Sequence, residues 1–147
     1  MFSSAPFQVG VGSRTENRTS ASVFDADVDV LAPCAVGEVI TQETARRLRA
    51  RGIAGAANNQ LASDAAERVL QERGIWYAPD FAANAGAVIV GFESFAGRGP
   101  GALEVVRRIE TRLDVVFEDA ARDRVTTTAA AMRRARARLD AVGARRR

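Results

Sequence analysis

The stretch RGIAGAANNQLASDAAERVLQERGIWYA, residues 51–78, decides the fold. Two short apolar runs, 53–57 and 75–78, flank a polar and amphipathic segment that starts at Ser63 and stops at Gly74. Serine just before an amphipathic run is typical of a helix N-cap, and glycine just after one is typical of a helix end. The stretch therefore predicts a strand, a helix and a second strand, which together form a βαβ unit.

The residues before this stretch extend the same pattern. An apolar run at 28–32 predicts a strand that stops at Pro33. Thr41 is placed to cap a helix over 42–51, which Gly52 would end. Strands and helices that alternate at this spacing indicate an α/β fold with a parallel sheet and right-handed crossovers.

The residues beyond the predicted sheet indicate helices. After the glycine-rich segment 97–101, apolar residues recur every three or four positions over 103–117, as on one face of an amphipathic helix. A turn near 119–125 leads to a last helix that starts at the threonines 126–128. By contrast, residues 1–24 are rich in Ser, Thr and Gly, so we expect a poorly ordered lead with at most one short strand at 7–11.

Composition excludes several kinds of chemistry. The chain has 147 residues, of which 47% are hydrophobic and 27% charged, as in one soluble globular domain. It contains no histidine, and all 21 basic residues are arginine. An imidazole base, a histidine metal site and a lysine Schiff base are therefore impossible from these residues alone, and we assign neither a catalytic nor a metal-binding residue. The single Cys34 forms no intrachain disulfide and suits the reducing cytoplasm.

Partners are constrained by charge and by hydropathy. No apolar run approaches the roughly 18 residues of a membrane helix, so we expect no membrane association. Residues 133–147 carry seven arginines against one acid, Asp140, and such a tail can bind nucleic acid. We favour a solvated helix face, because aromatic residues make up only 6% of the chain and base-stacking platforms need more.

Polar residues follow each predicted strand. In a parallel α/β sheet the carboxyl ends of the strands meet at one edge, where ligands bind. Three strand-following segments would meet there, 33–35, 58–59 and 79–80, with Asn84 shortly after the last. The two asparagines at 58–59 could hold a carboxamide or a carboxylate, or they could simply form a turn.

Two further residues at this edge have alternative interpretations. Asp80 could act as a general base, but we favour a role in capping the next helical turn. Cys34 follows Pro33, where a helix could begin and stabilise a thiolate. Because no base is available to it, we interpret Cys34 as a small apolar residue.

Three motifs carry a resemblance to a known family. The segments DVDVLAPCAVGEVI (27–40), RGIAGAANNQLA (51–62) and RGIWYAPDFAANAGAVI (73–89) resemble the C-terminal part of the leucine, phenylalanine and valine dehydrogenases, within the glutamate dehydrogenase superfamily. The resemblance implies that residues 25–147 are a partial NAD-binding domain. Its fold would be the second mononucleotide half of a Rossmann-like parallel sheet, followed by C-terminal helices.

The resemblance also implies residue roles. In such enzymes NAD accepts hydride from an amino acid, and the side chain of that substrate is branched or aromatic. The nicotinamide side of the NAD site would be formed by Cys34, Ala35, Val36, Ala57, Asn58 and Asn84. The substrate would be bound by Asn59, Val88 and Gly91.

Parts of the family pattern are missing from the 147 residues. The domain with the family's catalytic lysines and aspartate has no counterpart, and the phosphate fingerprint G-x-G-x-x-G does not occur. One hypothesis is therefore a truncated amino acid dehydrogenase that is inactive alone and needs a missing N-terminal half. The alternative is a non-catalytic Rossmann-like module that binds a nucleotide or a partner and has a basic C-terminal tail.

Self-association is the last expectation from the sequence. The strand at 28–32 would form a sheet edge that is apolar apart from Asp29, and such an edge favours association. The segment 7–11 could cover one edge. We expect a marginally stable homo-oligomer.

Overall fold

Three short parallel strands organise the chain. The structure is a computed structural model that describes residues 7–11, 14–18 and 22–144. The strands are β3 (Val30–Leu31), β4 (Gly52–Ile53) and β5 (Trp76–Tyr77), in the order β3-β4-β5. Leu31 is aligned with Ile53, and Ile53 with Tyr77. The α/β fold with a parallel sheet is thus confirmed, although each strand has only two residues and β4 begins at Gly52, one residue before the apolar run 53–57.

Two helices connect the strands. Helix α1 (Gln42–Arg47) follows β3, and α2 (Asp64–Glu72) follows β4. The N-caps are the predicted ones: Thr41 accepts a hydrogen bond from the backbone of Thr44, and Ser63 accepts one from Ala66. These side chains satisfy backbone N–H groups that have no partner within the helix.

The predicted end of α1 is wrong. The helix stops at Arg47 and not near Gly52, which is the first residue of β4. Leu48 adopts an extended backbone with ψ 135°, and both Leu48 and Ala50 are buried. The chain leaves the helix early because this turn places two apolar side chains in the core.

The core lies between the sheet and the two connecting helices. Its fully buried members include Ile40, Leu48, Ile53 and Leu70. A second, smaller core joins two long helices, α5 (Ala102–Asp123) and α6 (Thr127–Ala144), through the side chains of Val116, Ala120, Ala130 and Ala131.

Two further helices follow β5. Helix α3 (Asp80–Ala83) is a single turn, and α4 (Gly86–Phe95) has no counterpart among the elements predicted from sequence. No residue of α4 is buried, and a short 3₁₀ turn at Gly99–Gly101 connects it to α5. Among the helices of the described residues, none combines the length and the apolarity needed to cross a bilayer.

Two described segments of the lead, residues 7–11 and 14–18, pair with each other as strands. Strand β1 (Phe7–Val11), which was predicted, pairs antiparallel with β2 (Arg14–Arg18), which was not. The suggestion that 7–11 covers the edge of the main sheet is wrong, because β1 pairs with β2 and β3 pairs only with β4 in the described part of the chain. Residues 1–6, 12–13, 19–21 and 145–147 lie outside the described residues, as do three of the arginines of the predicted basic tail.

Candidate cofactor site at the ends of the strands

The loops that follow β3 and β4 pack against each other at Gly55. The backbone N–H of Ala57 donates to the carbonyl oxygen of Pro33 at 2.9 Å. A Cβ atom on Gly55 would lie 2.1 Å from that carbonyl oxygen, far inside van der Waals contact. Only glycine allows the two loops to come this close, and their contact fixes where residues 56–59 lie.

The segment after Pro33 is a bend and not a helix. Gly37 lies so close to the loop that follows β4 that a Cβ atom on it would be 2.7 Å from the carbonyl oxygen of Asn58. Glu38, the next residue, has a left-handed φ of 59°. The expected helix start at Cys34 is therefore wrong, and with it the argument that a helix could stabilise a thiolate there.

Cys34, which the sequence analysis interpreted as a small apolar residue, is exposed. Its sulfur accepts a long hydrogen bond of 3.5 Å from the backbone N–H of Ala56, which belongs to the loop after β4. The neighbouring Ala35 and Val36 are exposed as well. The structure thus brings Cys34 to residues 55–59, the loop after β4 that is called the asparagine loop below.

Asn84 joins the third strand end to the same loop. It is the C-cap of α3, directly after the last helical residue, and its Nδ2 donates to Oδ1 of Asn58 at 2.7 Å. The same nitrogen lies 3.3 Å from the carbonyl oxygen of Ala56 and 3.5 Å from that of Ala57. Of the six predicted cofactor residues, the structure therefore joins Ala57, Asn58 and Asn84 directly and brings Cys34 beside them through Ala56.

These contacts determine which atoms of the two amides stay available. Because Asn84 faces backbone carbonyl oxygens, its nitrogen and not its oxygen must point at the loop. Asn58 must then present its oxygen to Asn84. Within the described residues, Nδ2 of Asn58 and Oδ1 of Asn84 have no hydrogen-bond partner. One donor and one acceptor are left, on neighbouring side chains.

Asn59 occupies a strained turn position. Its φ is +52°, in the left-handed region that asparagine tolerates better than most residues. Its carbonyl oxygen accepts the backbone N–H of Glu38 at 2.6 Å, and its side chain is exposed. The backbone conformation thus gives a structural reason for asparagine here, and the side chain remains free to contact a ligand.

Gln60 and Asp80 support the loop from beneath. Gln60 is fully buried, and its Nε2 donates to the carbonyl oxygens of Gly55 at 2.8 Å and Ala57 at 2.9 Å. Asp80 accepts the backbone N–H of Phe81 at 2.8 Å and that of Gln60 at 3.4 Å. Asp80 is the first residue of α3 and not its N-cap, which is Pro79, so the predicted capping role is wrong. Gln60 was not among the residues predicted from sequence, although a polar residue just before the apolar Leu61 was a usable signal.

The hydroxyl of Tyr77 stays protonated at this edge of the sheet. Burial raises the pKa of Tyr77 well above its usual range, and the nearby Asp80 carboxylate raises it further. Tyr77 is only 3% exposed and belongs to the hydrophobic core, so it is not assigned to the site.

The two predicted substrate-pocket residues lie on α4. Val88 is 76% exposed, and Gly91 lies three positions later, on the same side of the helix. A Cβ atom on Gly91 would meet nothing within 4 Å. This surface is therefore open in the structure.

Gly97–Ala102 has glycine spacing like that of a dinucleotide loop, G-x-G-x-x-A, but it follows helix α4 and not a strand. It therefore lacks the strand-to-helix turn that holds a pyrophosphate. Within the described residues, no three Cys, Asp or Glu side chains are grouped closely enough to hold a metal ion.

The α/β fold with its parallel sheet is shared with amino acid dehydrogenases of known structure. The sequence profile of the Glutamate/Leucine/Phenylalanine/Valine dehydrogenase family matches residues 5–142. This match covers nearly the whole chain, and the chain belongs to that family.

Individual relatives agree with the family assignment. The leucine dehydrogenase of Thermoactinomyces intermedius is 40% identical over 119 residues, which are 80% of this chain and 32% of that protein. The phenylalanine dehydrogenase of Caldalkalibacillus thermarum is 38% identical over 114 residues, 77% of this chain and 31% of that protein.

A solved structure gives the same result. The L-tryptophan dehydrogenase from Nostoc punctiforme matches with a TM-score of 0.78 and 38% identity, over 82% of this chain and 37% of that one. The chain spans about a third of the length of the relatives that it matches.

Proposed function

We propose that this chain forms the nicotinamide end of the cofactor site of an NAD-dependent amino acid dehydrogenase, as the C-terminal, cofactor-binding part of that enzyme. One observation carries the proposal. The Asn58–Asn84 pair leaves one amide donor and one amide acceptor unpaired beside the ends of the strands. The family membership supports the same conclusion.

A primary carboxamide is the complement of this pair. The carbonyl oxygen of nicotinamide would accept from Nδ2 of Asn58, and its NH₂ group would donate to Oδ1 of Asn84. A carboxylate in the same place has no donor, so it would leave Oδ1 of Asn84 facing a negative oxygen. The pair is thus suited to distinguish nicotinamide from nicotinate.

We propose roles around this pair for the other predicted residues. Cys34, Ala35 and Val36 would line the nicotinamide ring, since the bend at 34–38 packs on the asparagine loop. Asn59 would bind the substrate carboxylate with its exposed amide. Val88 and Gly91 would form one wall of the pocket for the side chain of a branched-chain or aromatic L-amino acid.

NAD, when bound, accepts a hydride from the amino acid Cα, which leaves an imine that water hydrolyses. The residues of this chain would orient the two reactants, but they include neither lysine nor histidine to move the protons. We therefore propose that residues 1–147 bind the nicotinamide group and do not turn over by themselves. The active form would be a cytoplasmic homo-oligomer or a complex with an N-terminal half.

A pair of mononucleotides tests the binding proposal. The chain is titrated calorimetrically with nicotinamide mononucleotide and with nicotinic acid mononucleotide, which differ only in carboxamide against carboxylate. We expect the carboxamide form to bind at least about tenfold more tightly, the effect of about one hydrogen bond lost beside an unpaired group. Two results would contradict the proposal: equal affinity for the two mononucleotides, or no binding of either.

A complementation experiment tests the activity. The chain is mixed with the N-terminal two thirds of a leucine or phenylalanine dehydrogenase, and NADH formation is followed with each amino acid. Activity that needs both parts and is lost in Asn84→Ala supports a split dehydrogenase. Activity of this chain alone would contradict the proposed dependence on a second part.

A second candidate function rests on the basic face of α6. Arg136 and Arg138 have no ion-pair partner within the described residues, whereas Arg133 pairs with Asp123 and Arg134 with Asp119. A non-catalytic module that binds a nucleotide or a partner would use such unpaired charges. Salt-sensitive binding of duplex DNA that is lost on deletion of 133–147 would favour it, and binding of nicotinamide mononucleotide alone would favour the dehydrogenase.

A further inference from the structure

The amide of Gln60 is an anomaly in the core. It is 0% exposed, and its Oε1 is buried with no hydrogen-bond partner in the described part of the chain. A buried acceptor without a donor is costly, and an apolar side chain of similar shape would avoid that cost. Core stability alone does not explain glutamine at this position.

The two hydrogen bonds that Gln60 donates explain better why glutamine occupies this position. Nε2 lies between the carbonyl oxygens of Gly55 and Ala57 and sets the orientation of both peptide groups. Ala57 accepts from Asn84 on the same carbonyl oxygen at 3.5 Å. Two side-chain amides, those of Gln60 and Asn84, thus hold the loop 55–59 through its carbonyl oxygens.

The backbone of Gln60 is bound at the same time. Its N–H donates to Asp80, and its carbonyl oxygen accepts the N–H of Ile40 at 2.9 Å. The residue before it, Asn59, is left-handed and accepts from Glu38. Gln60 is therefore the point where the loops that follow all three strands are joined.

We propose that Gln60 is a positioning residue for the cofactor and substrate site. It fixes the loop 55–59 so that Nδ2 of Asn58 and the side chain of Asn59 are presented to the ligands. It does not touch the ligands itself, because it is fully buried. The inference rests on the proposed function for its ligand, but the position of the loop can be measured without any ligand.

The test compares Gln60→Met with Gln71→Met in the full chain. Methionine keeps the length and volume of glutamine but cannot donate, and Gln71 is an exposed glutamine of α2 that serves as the matched control. Three quantities are measured: the melting temperature, the hydrogen-exchange rates of the Glu38 and Ile40 amides, and the affinity for nicotinamide mononucleotide.

In Gln60→Met we expect a folded chain in which both amides exchange at least about tenfold faster and mononucleotide affinity falls by a similar factor. We expect the exchange of the amides in α2 to stay unchanged. Exchange rates and affinity equal to those of Gln71→Met would overturn the proposal. If the wild-type chain binds no mononucleotide, the proposed function fails, and the exchange rates alone decide whether Gln60 positions the loop.

A second variant covers the case in which Gln60→Met does not fold. Gln60→Glu keeps the shape, and its carboxyl group can donate one hydrogen bond only when it is protonated. We expect the loop amides to regain protection as the pH is lowered through the pKa of this carboxyl group. Failure of both variants to fold would overturn the proposal, because Gln60 would then serve the whole core and not the loop.

Discussion

The carboxylate of Glu67 and the backbone N–H of Thr128 are hydrogen-bonded across 61 residues, with 2.9 Å between Oε1 and the nitrogen. The same oxygen accepts the hydroxyl of Thr127 at 3.0 Å, and that hydroxyl is 2.6 Å from the carbonyl oxygen of Tyr77. Glu67 is only 4% exposed. A side chain from α2 therefore satisfies the N-terminus of α6 and fastens the helix to the edge of the sheet.

Replacement of Glu67 tests this attachment. Glu67→Ala leaves the N–H of Thr128 without its acceptor, and we expect the free energy of unfolding to fall by about 2–3 kcal/mol. Glu67→Gln keeps an acceptor oxygen, so we expect a loss of about 1 kcal/mol or less. Urea unfolding measures both, with Glu72→Ala on the exposed side of the same helix as control. Equal losses in all three variants would contradict the attachment.

Alanine is expected to change the stability of the fold in opposite directions at two glycines, Gly55 and Gly91. In Gly55→Ala the new methyl group would lie against the carbonyl oxygen of Pro33, and we expect a loss of about 3 kcal/mol. In Gly91→Ala the methyl group meets nothing within 4 Å in a helix, and we expect a gain of about 0.5–1 kcal/mol. Thermal unfolding compares the two, and a stable Gly55→Ala chain would show that the loops do not touch as described.

Ion pairs of the two helices α5 and α6 are expected to make the stability of the fold depend on pH. The guanidinium of Arg134 holds the pKa of Asp119 below its ordinary value of 3.8, and that of Arg122 does the same for Asp123. A carboxylate with a lowered folded pKa contributes stability that is complete above the ordinary value and is lost as the pH falls through the lowered one. We therefore expect the melting temperature to decrease as the pH is lowered from 3.8.

The double variant Asp119→Asn/Asp123→Asn isolates this contribution. It should be less stable than the wild type at pH 6, and the difference should narrow as the pH falls below 3.8. Differential scanning calorimetry from pH 6 to lower values measures this narrowing. A difference that stays constant with pH would mean that the ion pairs do not contribute.

The exposed apolar surface predicts self-association. Val30 on the edge strand β3 is 58% exposed, and Phe95 at the end of α4 is 92% exposed. An open apolar edge and an uncovered helix both favour contacts between chains. We expect oligomers at low micromolar concentration in sedimentation velocity, reduced by Val30→Arg or Phe95→Ser. A sharp monomer of the unmodified chain would contradict this expectation.

The sequence predicted what local chemistry decides. Thr41 and Ser63 cap helices because their hydroxyls reach a backbone N–H three residues later, and this depends only on nearby residues. The order of the three strands was also predicted from the apolar runs, but β4 ends at Ile53, four residues before its predicted end at Ala57. The relation between Asn58 and Asn84 could only be expected from the meeting of the strand ends.

The remainder depends on contacts that no local pattern contains. Helix α4 was missed because the run Gly86–Phe95 is rich in β-branched and aromatic residues, which are typical of strands. The end of α1 was misplaced because burial of Leu48 decides it, and not Gly52. Gln60 and Glu67 were missed because each is explained only by partners that the fold brings to it.

The central claim is that the Asn58–Asn84 pair receives the nicotinamide carboxamide. Its most direct measurement is the shift of the asparagine side-chain NH₂ resonances on titration of ¹⁵N-labelled chain with nicotinamide mononucleotide. The account predicts that the free NH₂ group of Asn58 shifts strongly, that the NH₂ group of Asn84, already donating within the chain, shifts less, and that Asn58→Asp abolishes binding. Binding that leaves the Asn58 resonance unchanged, or that survives Asn58→Asp at full affinity, would contradict it.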